Sequence, residues 1–412
     1  MANTESKKTN QNFSIPCDWE VAFLESICIK KGLVRGPFGG ALKKEYFDNV
    51  GYKVYEQKNA IYRNADLGEY FINEKLFQEL KRFEVKPKDF IISCSGTIGR
   101  IFQIPENAKK GIINQALLII KTDDSVIDDK YFFQFFDWDK FQSKIIDNTQ
   151  GGAMQNLVGM DIFRKSKISL PPLPEQKAIA HILGLMDSAI NANNRLITQN
   201  ELRKKWLMQN LLTGKNRLRG FEGEWNKLGA GEVFKSISVK GFENEELLSA
   251  TQDKGIIPRS TLEARVTMPS GETTSFKLVE AGDFVISLRS FQGGLEYSYF
   301  RGIVSPAYTV LKPRKQINDE FYKQYFKSYD FIGHLATAVI GIRDGKQISY
   351  DDFCVVKIPY PSIKEQTTIA QVLQAVDKEI QLLKTKTEKL KEQKKGMMQV
   401  LLTGRKRLKI IN

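Results

Sequence analysis

Apolar residues recur at every third or fourth position along two stretches of the chain, which begin near residues 171 and 361. In each stretch the periodic positions are apolar at both ends and polar in the middle. Heptad spacing of this kind places a continuous seam on one face of a helix. Prolines stand just before both stretches, and Gly214 and Gly404 follow them, as is typical of helix ends. The pattern predicts two long helices of about 38 residues, or roughly 57 Å each.

The apolar seam of each predicted helix has to be covered, and the other helix is the obvious cover. If a pseudo-twofold axis relates the two helices, they pack antiparallel, and the polar gaps fix their register. The seam residues assigned to coiled-coil packing and partner docking are Ile179, Leu183, Met186, Ile190, Leu211, Ile369, Leu373, Val376, Ile380 and Leu401.

The chain contains an internal repeat. EQKAIAHILGLMDSAI begins at Glu175, and EQTTIAQVLQAVDKEI begins 190 residues later at Glu365. LLTGKNRL and LLTGRKRL recur at the same offset, so residues 167–218 align without a gap on residues 357–408. Two gapless blocks of this length indicate a duplication, and a duplicated unit predicts a duplicated architecture.

The part of each half that precedes its predicted helix is more variable and is expected to fold as a mixed α/β domain. Short β-like runs bounded by turn residues occur at Phe90–Ile92, Leu117–Ile120, Phe284–Ser287 and Tyr308–Leu311. Aromatic-rich segments at Lys130–Phe141 and Asp319–Tyr329 favour helices. The predicted fold class is α+β, in which two mixed α/β domains are joined by two long helices that form an antiparallel coiled coil with a pseudo-twofold internal repeat. The predicted boundaries are 1–170 and 217–361 for the domains, and 171–216 and 362–412 for the helices.

Composition and net charge limit the classes of protein to which the chain can belong. A chain of 412 residues exceeds the roughly 250–300 residues at which a single core stops growing. The net charge of +14 favours a polyanionic partner such as nucleic acid. Four scattered cysteines and two isolated histidines argue against a disulfide framework or a metal site. A polar amino terminus and short apolar runs predict a soluble, cytoplasmic protein without a membrane segment.

The sequence lacks several motifs that are typical of enzyme active sites. It has no phosphate-binding glycine loop of the GxxxxGK[ST] or GxGxxG kind, no HExxH or GxSxG, and no NPPY-like tetrapeptide. Asp66, Glu84 and Lys86 match the acidic-ExK pattern of a nuclease centre, but such matches are expected by chance in a chain with this many charged residues. Glu175-Gln176 and Glu365-Gln366 recur at helix starts, where a structural role competes with partner contact. No cofactor or metal is therefore expected.

Basic and polar loops are the candidate DNA-binding sites, because phosphates attract Lys, Arg and backbone amides, and base edges pair with Arg, Lys, Asn, Gln or Ser. The alternative for any one of these residues is an ordinary solvated surface position. The candidates are Lys43, Lys44, Ser93, Ser95, Thr97, Arg100, Gln150 and Gln155 in the first half, and Arg259, Arg289, Ser290, Gln292, Arg343 and Lys346 in the second. The basic tails at 215–219 and 405–409 are further candidates for phosphate contact.

The chain resembles the specificity (S) subunit of type I restriction–modification systems along essentially its whole length. The likeness rests on SLPPLPEQKAIAHIL at residues 169–183, IPYPSIKEQTTIAQVL at residues 358–373, the two LLTG endings, and the order domain, helix, domain, helix. The second copy departs slightly, with Tyr360-Pro361-Ser362 where the first has Leu170-Pro171-Pro172.

The resemblance implies that each target-recognition domain reads one half of a split site in double-stranded DNA. It also implies that the helices set the spacer and dock two methyltransferase (modification) subunits, which recruit the restriction motor-nuclease subunits. No catalysis is expected of the chain itself. Two other classes stay open: a coiled-coil scaffold that binds only proteins, and an enzyme fused to a recognition module.

Overall fold

The computed structural model of the chain describes residues 15–147, 156–262, 273–338 and 348–408. The chain divides into two compact units. The first unit combines residues 1–192 with residues 387–412, and the second takes residues 193–386. Gln150, Gln155, Arg343 and Lys346 of the predicted DNA-binding set lie outside the described residues.

Among the residues that the structure describes, the globular part of the first unit carries twelve strands and five short helices, and a sixth, long helix follows. The strands are β1 (Glu20–Phe23), β2 (Cys28–Arg35), β3 (Tyr52–Tyr55), β4 (Phe71–Ile72), β5 (Glu84–Val85), β6 (Phe90–Ser93), β7 (Ile101–Gln103), β8 (Gly111–Ile113), β9 (Leu117–Thr122), β10 (Ile146–Asp147), β11 (Asn156–Leu157) and β12 (Lys167–Leu170). The helices are α1 (Gln57–Ile61), α2 (Glu74–Glu79), α3 (Asp129–Phe136), α4 (Asp139–Ile145), α5 (Met160–Arg164) and α6 (Leu173–Leu211).

The globular part of the second unit carries ten strands and five short helices within its described residues. The strands are β13 (Asn226–Gly229), β14 (Phe234–Ile237), β15 (Leu248–Thr251), β16 (Gly255–Pro258), β17 (Lys277–Val279), β18 (Phe284–Ile286), β19 (Glu296–Tyr297), β20 (Gly302–Val304), β21 (Thr309–Pro313) and β22 (Lys357–Tyr360). The helices are α7 (Ala230–Val233), α8 (Ser290–Gly293), α9 (Asp319–Tyr325), α10 (Tyr329–Ala338), α11 (Tyr350–Val355) and the long α12 (Ile363–Leu401).

Each unit is built around a four-stranded antiparallel sheet of the same topology. The strand order is β2-β9-β6-β7 in the first unit and β14-β21-β18-β19 in the second. The two central strands of each sheet are the runs that the sequence predicted, and they are fully buried from Phe90 to Ile92 and from Phe284 to Ile286. The prediction of mixed α/β domains is therefore confirmed at the level of their helix and sheet content.

A buried aspartate precedes the central strand of each sheet. Asp89 accepts a hydrogen bond from the Lys86 amide at 2.9 Å, and Asp283 accepts one from the Glu280 amide at 2.8 Å. Burial raises the pKa of both carboxyl groups, while these backbone hydrogen bonds oppose the shift. The aspartates thus fold the turns that lead into the DFIIS and DFVIS strands.

The aromatic segments after β9 and β21 are helical, as predicted, but each is broken into two helices. Helix α3 ends at Phe136 and α4 begins at Asp139, whereas α9 ends at Tyr325 and α10 begins at Tyr329. The break lets both pieces turn their rings into one core, where Phe136 and Phe141 lie 5.4 Å apart and Phe326 and Phe331 lie 4.7 Å apart. The sequence predicted helices in these segments but did not predict the break within each of them.

The two long helices, α6 and α12, each contain 39 residues. Both are followed by a glycine in the left-handed region, Gly214 at φ 73° and Gly404 at φ 70°. A side chain at Gly404 would meet Pro16 at 2.5 Å, so glycine is required there for space as well as for conformation.

Segments of α6 and α12 pack antiparallel inside each unit. In the first unit Ile179 and Leu183 share a core with Met398 and Leu401, and Lys394 bonds to Asp187 at 2.7 Å. In the second unit the same contacts recur with a 190-residue offset. They join Leu211 to Ile369 and Leu373 in one core, and they join Lys204 to Asp377 at 2.7 Å.

Eight of the ten predicted seam residues are buried, while Met186 and Ile190 are half-buried. Their assignment to helix packing fits this burial. A docking partner would instead meet side chains on the outer faces of the same helices, because the seam is already covered. The large apolar residues exposed within these helices are Leu185, Leu196, Leu202, Trp206, Ile363 and Leu382.

Candidate nucleic-acid interface

The loop between β6 and β7 carries the first group of predicted DNA-binding residues. Ser93 is fully buried, and its hydroxyl donates to the Thr97 carbonyl at 2.6 Å and accepts from the Arg100 amide at 3.0 Å. Thr97 and Arg100 are exposed at the surface of this loop, and Ser95 is half-exposed. Ser93 therefore folds the loop, while Thr97 and Arg100 have side chains that are accessible to a ligand.

The loop between β18 and β19 occupies the same place in the second sheet. The Ser290 hydroxyl is buried and accepts a hydrogen bond from the Ser287 amide at 2.8 Å. Gly294 closes the loop at φ 73°, and a Cβ there would lie 1.8 Å from the Phe326 carbonyl oxygen. Arg289 and Gln292 are exposed. Each unit thus presents an arginine on a loop that a buried serine holds in shape.

The remaining described candidates lie elsewhere on the two units. Lys43 and Lys44 are exposed at a short turn in the first unit, and the Lys43 ammonium lies 3.5 Å from Glu45. Arg259 follows β16 and is half-buried, and within the described residues its Nε is buried without a hydrogen-bond partner. None of these arrangements tests contact with DNA, so the assignment stays a prediction.

A buried glutamate joins the start of α6 to the end of α12 in the first unit. Glu175 is 1% exposed and accepts hydrogen bonds from Trp19 at 3.1 Å and from the Arg407 guanidinium at 2.7 Å. Arg407 also donates two hydrogen bonds to Asp18, at 2.7 and 2.8 Å. Hydrogen bonds to these two carboxylates raise the pKa of Arg407, and the pKa of Asp18 is lowered by the same contact.

The second unit repeats this contact. Glu365 is 1% exposed and accepts from Trp225 at 3.0 Å and from Arg217 at 2.6 and 2.7 Å. Of the two roles considered for the recurring glutamates, structural support and partner contact, these buried contacts favour structural support. Arg217 and Arg407, in the basic tails proposed for phosphate contact, are bound in these ion pairs.

The recurring glutamines also have a structural role. The Gln176 side-chain oxygen accepts from the Asp128 amide at 2.8 Å, and its amide group donates to the Pro171 carbonyl at 2.9 Å. Gln366 makes the corresponding contacts with Asn318 and Pro361, both at 2.8 Å. Each glutamine ties the segment before the aromatic helix to the start of a long helix.

A polar joint connects each globular part to both long helices. In the first unit Asp187 on α6 accepts from Gln134 on α3 and from Lys394 on α12, both at 2.7 Å. In the second unit Asp377 on α12 accepts from Gln324 on α9 at 3.0 Å and pairs with Lys204 on α6 at 2.7 Å. Sequence reasoning missed the two glutamines, although their own 190-residue offset marks them as part of the repeat.

The described residues contain no group of three or more His, Cys, Asp or Glu side chains placed to hold a metal ion. No helix in the described part of the chain is both long and apolar enough to cross a membrane.

Comparison with known proteins places the chain in a family. Residues 16–202 and 222–392 match a family profile described as "Type I restriction modification DNA specificity domain". Two relatives from Methanocaldococcus jannaschii are the putative type I restriction enzyme MjaX specificity subunit and the type I restriction enzyme MjaVIII specificity subunit. They are 25% and 26% identical over 98% and 99% of this chain, and the matches cover 97% of each relative.

Two solved structures share the fold. The HsdS subunit from Thermoanaerobacter tengcongensis is 17% identical with a TM-score of 0.51, over 96% of this chain and 99% of that chain. The S subunit of the type I restriction-modification system from M. genitalium is 16% identical with a TM-score of 0.53, over 98% of this chain and 99% of that chain.

Proposed function

Because the chain belongs to the type I restriction-modification DNA specificity family, we propose that it selects the DNA sequence for a type I complex. The globular part of each unit reads one half of a split site in double-stranded DNA, and the long helices hold the two halves of the site at a set spacing. The chain performs no catalysis itself and needs no cofactor. Its place of action is the cytoplasm.

The observation that carries the proposal is the polar joint that recurs in both units. Asp187 and Asp377 each accept one hydrogen bond from a globular part and pair with a lysine of the facing helix. A glutamine and a lysine that converge on one carboxylate fix the globular part on the helices, because charge-assisted bonds are directional and short. A domain fixed on a stiff helix gives a footprint whose gap follows the helix length.

The two helices form an antiparallel coiled coil with a pseudo-twofold axis in this proposal. The seam supports it through polar residues that are buried where heptad positions would be apolar, namely Asn193 and Asn200 on α6 and Thr387 and Lys394 on α12. Buried polar residues in a seam lower stability but specify register. The register in turn determines the distance between the two DNA-reading domains.

The proposed partners follow from charge and family membership. The net charge of +14 supplies sequence-independent attraction to DNA phosphates. Two methyltransferase subunits dock on the duplicated helical surfaces, and the restriction motor-nuclease subunits join through them. The exposed apolar residues of α6 include Leu202 at 63% and Trp206 at 56% exposure. They suit protein docking because the removal of apolar surface from water is favourable.

The experiment that tests this proposal shortens both helices by one heptad. Deleting residues 192–198 and 382–388 removes about 10 Å of rise on each helix and keeps the seam in phase. The cut leaves the Asp187–Lys394 and Lys204–Asp377 pairs in place. At about 3.4 Å per base pair, the expected result is a spacer shorter by up to about three base pairs. The spacer is measured by mapping modified bases in cells that co-express the methyltransferase.

A control deletes the heptad from α6 alone. The facing heptad of α12 then lacks its partner, so the control is expected to lose stability and methylation together. A double deletion that keeps methylation and an unchanged spacer would refute the proposal that the helices set the spacing.

A further inference from the structure

A cavity of about 410 Å³ lies in the second unit beside the exposed loop that carries Arg289. The turn after β15 forms one wall with Gln252 and Asp253, and Tyr308 lies on another wall. Glu296 on strand β19 also lines the cavity. Cavities of this size with a few converging polar groups are typical of small-molecule or base-sized ligands.

The Glu296 carboxylate is the unusual group in this cavity. Its side chain is 2% exposed, and its Oε1 accepts a hydrogen bond from Lys327 at 2.7 Å. Its Oε2 is buried without a hydrogen-bond partner among the described residues. Burial raises the pKa of this carboxyl, and the Lys327 hydrogen bond opposes the shift. Buried acceptors are nearly always satisfied in native proteins, so the free oxygen points to a missing donor.

The fold itself does not require a carboxylate at this position. Tyr297 pairs with Phe284 in the second sheet, and Gln103 pairs with Phe90 in the first sheet. By this register the position of Glu296 corresponds to Phe102, a partly buried aromatic residue that packs on a core of the first unit. The same strand therefore forms with an apolar residue, and Glu296 is a feature of the second unit alone.

We propose that this cavity takes a nucleobase with an exocyclic amino group, adenine or cytosine, from the half-site that the second unit reads. The amino group donates to Glu296 Oε2 and the Tyr308 ring contacts the base, beside the exposed Arg289 guanidinium. A metal cation would satisfy Glu296 but would be repelled by Arg289. The inference rests on the proposed function and names one of its specificity-determining residues.

The base enters the cavity out of the duplex stack. Glu296 is recessed, with 2% of its side chain exposed, whereas the edge of a stacked base is held within its groove. A base reaches a pocket of this kind only when it leaves the stack, and unstacking costs least where base pairing is already weak. A mismatch opposite the base should therefore strengthen binding at this position.

The test uses the full chain assembled with its methyltransferase and a series of duplexes of the recognised sequence. Each adenine or cytosine is replaced in turn by its analogue without the amino group, purine or pyrimidin-2-one. With the unaltered chain, the analogue is expected to lower the affinity for DNA about tenfold at one position other than the methylated adenine. In the Glu296→Gln complex, the analogue at that position should change the affinity less than twofold. A mismatch opposite that position should raise the affinity of the unaltered complex several-fold.

Lys327→Met provides the matched control, because it removes the ion partner of Glu296 and leaves the carboxylate. A purely structural ion pair would make Lys327→Met and Glu296→Gln weaken all duplexes equally, and this result would overturn the inference. Site-specific binding without any position that couples to Glu296 would also overturn it while leaving the proposed function intact. A complex that does not distinguish DNA sequences at all would instead refute the proposed function.

Discussion

Glu175→Gln is the substitution that best probes how the first unit is held together. The carboxylate is 1% exposed and accepts one hydrogen bond from Trp19 and two from Arg407. Glutamine has nearly the same shape, but it carries no charge and presents an amide N–H where the guanidinium needs an acceptor. The variant therefore removes an ion pair without creating a cavity.

The magnitude follows from the surroundings of Arg407. Breaking a buried ion pair costs about 3–5 kcal/mol when the remaining charge is left without compensation. Here the Arg407 side chain is 42% exposed and keeps its two bonds to Asp18, so water and Asp18 compensate much of its charge. We expect a loss of about 2 kcal/mol for Glu175→Gln, which corresponds to a roughly thirtyfold change in an opening equilibrium.

Hydrogen–deuterium exchange read by mass spectrometry measures this change locally. Peptides that cover residues 16–19, 173–180 and 401–408 are expected to exchange about thirtyfold faster in the variant. The equivalent peptide at residues 363–370 should not change, and Glu365→Gln should show the reverse pattern. Equally faster exchange in both units, or unchanged exchange at residues 173–180, would refute the conclusion that Glu175 joins the start of α6 to the end of α12 in the first unit.

Two further predictions concern the loops and the thiols. Arg289→Ala and Arg100→Ala should each alter recognition of a different half-site, as seen in methylation of duplexes with one base changed at a time; uniform weakening on all sequences would assign either arginine to phosphate contact. Burial raises the pKa of the Cys28 and Cys94 thiols to about 12, so the folded chain should react with maleimide at neutral pH at the exposed Cys17 well before either of them. Mass spectrometry of the labelled peptides gives that order, and early labelling of Cys94 would contradict the fold of the first sheet.

The sequence repeat predicted the long helices and their seam well, because heptad spacing reports burial directly. The repeat could not distinguish the apolar residues that pack against the facing helix from those that stay exposed for docking. Ile179 and Leu185 are both apolar residues of α6, yet Ile179 is fully buried and Leu185 is 56% exposed. Only the position of the facing helix distinguishes them.

The polar residues were harder to assign from the sequence. Ser93 ends strand β6 and Ser290 begins the short helix α8. At such positions a hydroxyl serves a DNA contact or the nearby backbone equally well, and the structure shows the second use. Glu296 stands in a strand of two residues, which is too short to reveal an alternating pattern of burial. Its buried, unpartnered oxygen became visible only in the folded unit.

The joint residues Gln134 and Gln324 could have been found by extending the repeat. They share the 190-residue offset, and so do Asp128 and Asn318 at the helix starts before them. The aromatic residues between them differ in type, which hid the alignment from a search for identical letters. Aromatic residues that fill the same core position are interchangeable in packing, so the duplication extends further than sequence identity indicates.

The DNA sequence that becomes modified shows most directly whether this one chain reads two half-sites at a fixed separation. The chain would be co-expressed with its methyltransferase, and modified adenines would be mapped across the host genome. We expect a split motif with two specific parts and a central gap of constant length. A continuous motif, a gap of variable length, or an assembled complex that leaves the genome unmodified would refute the proposal of two half-sites at a fixed separation.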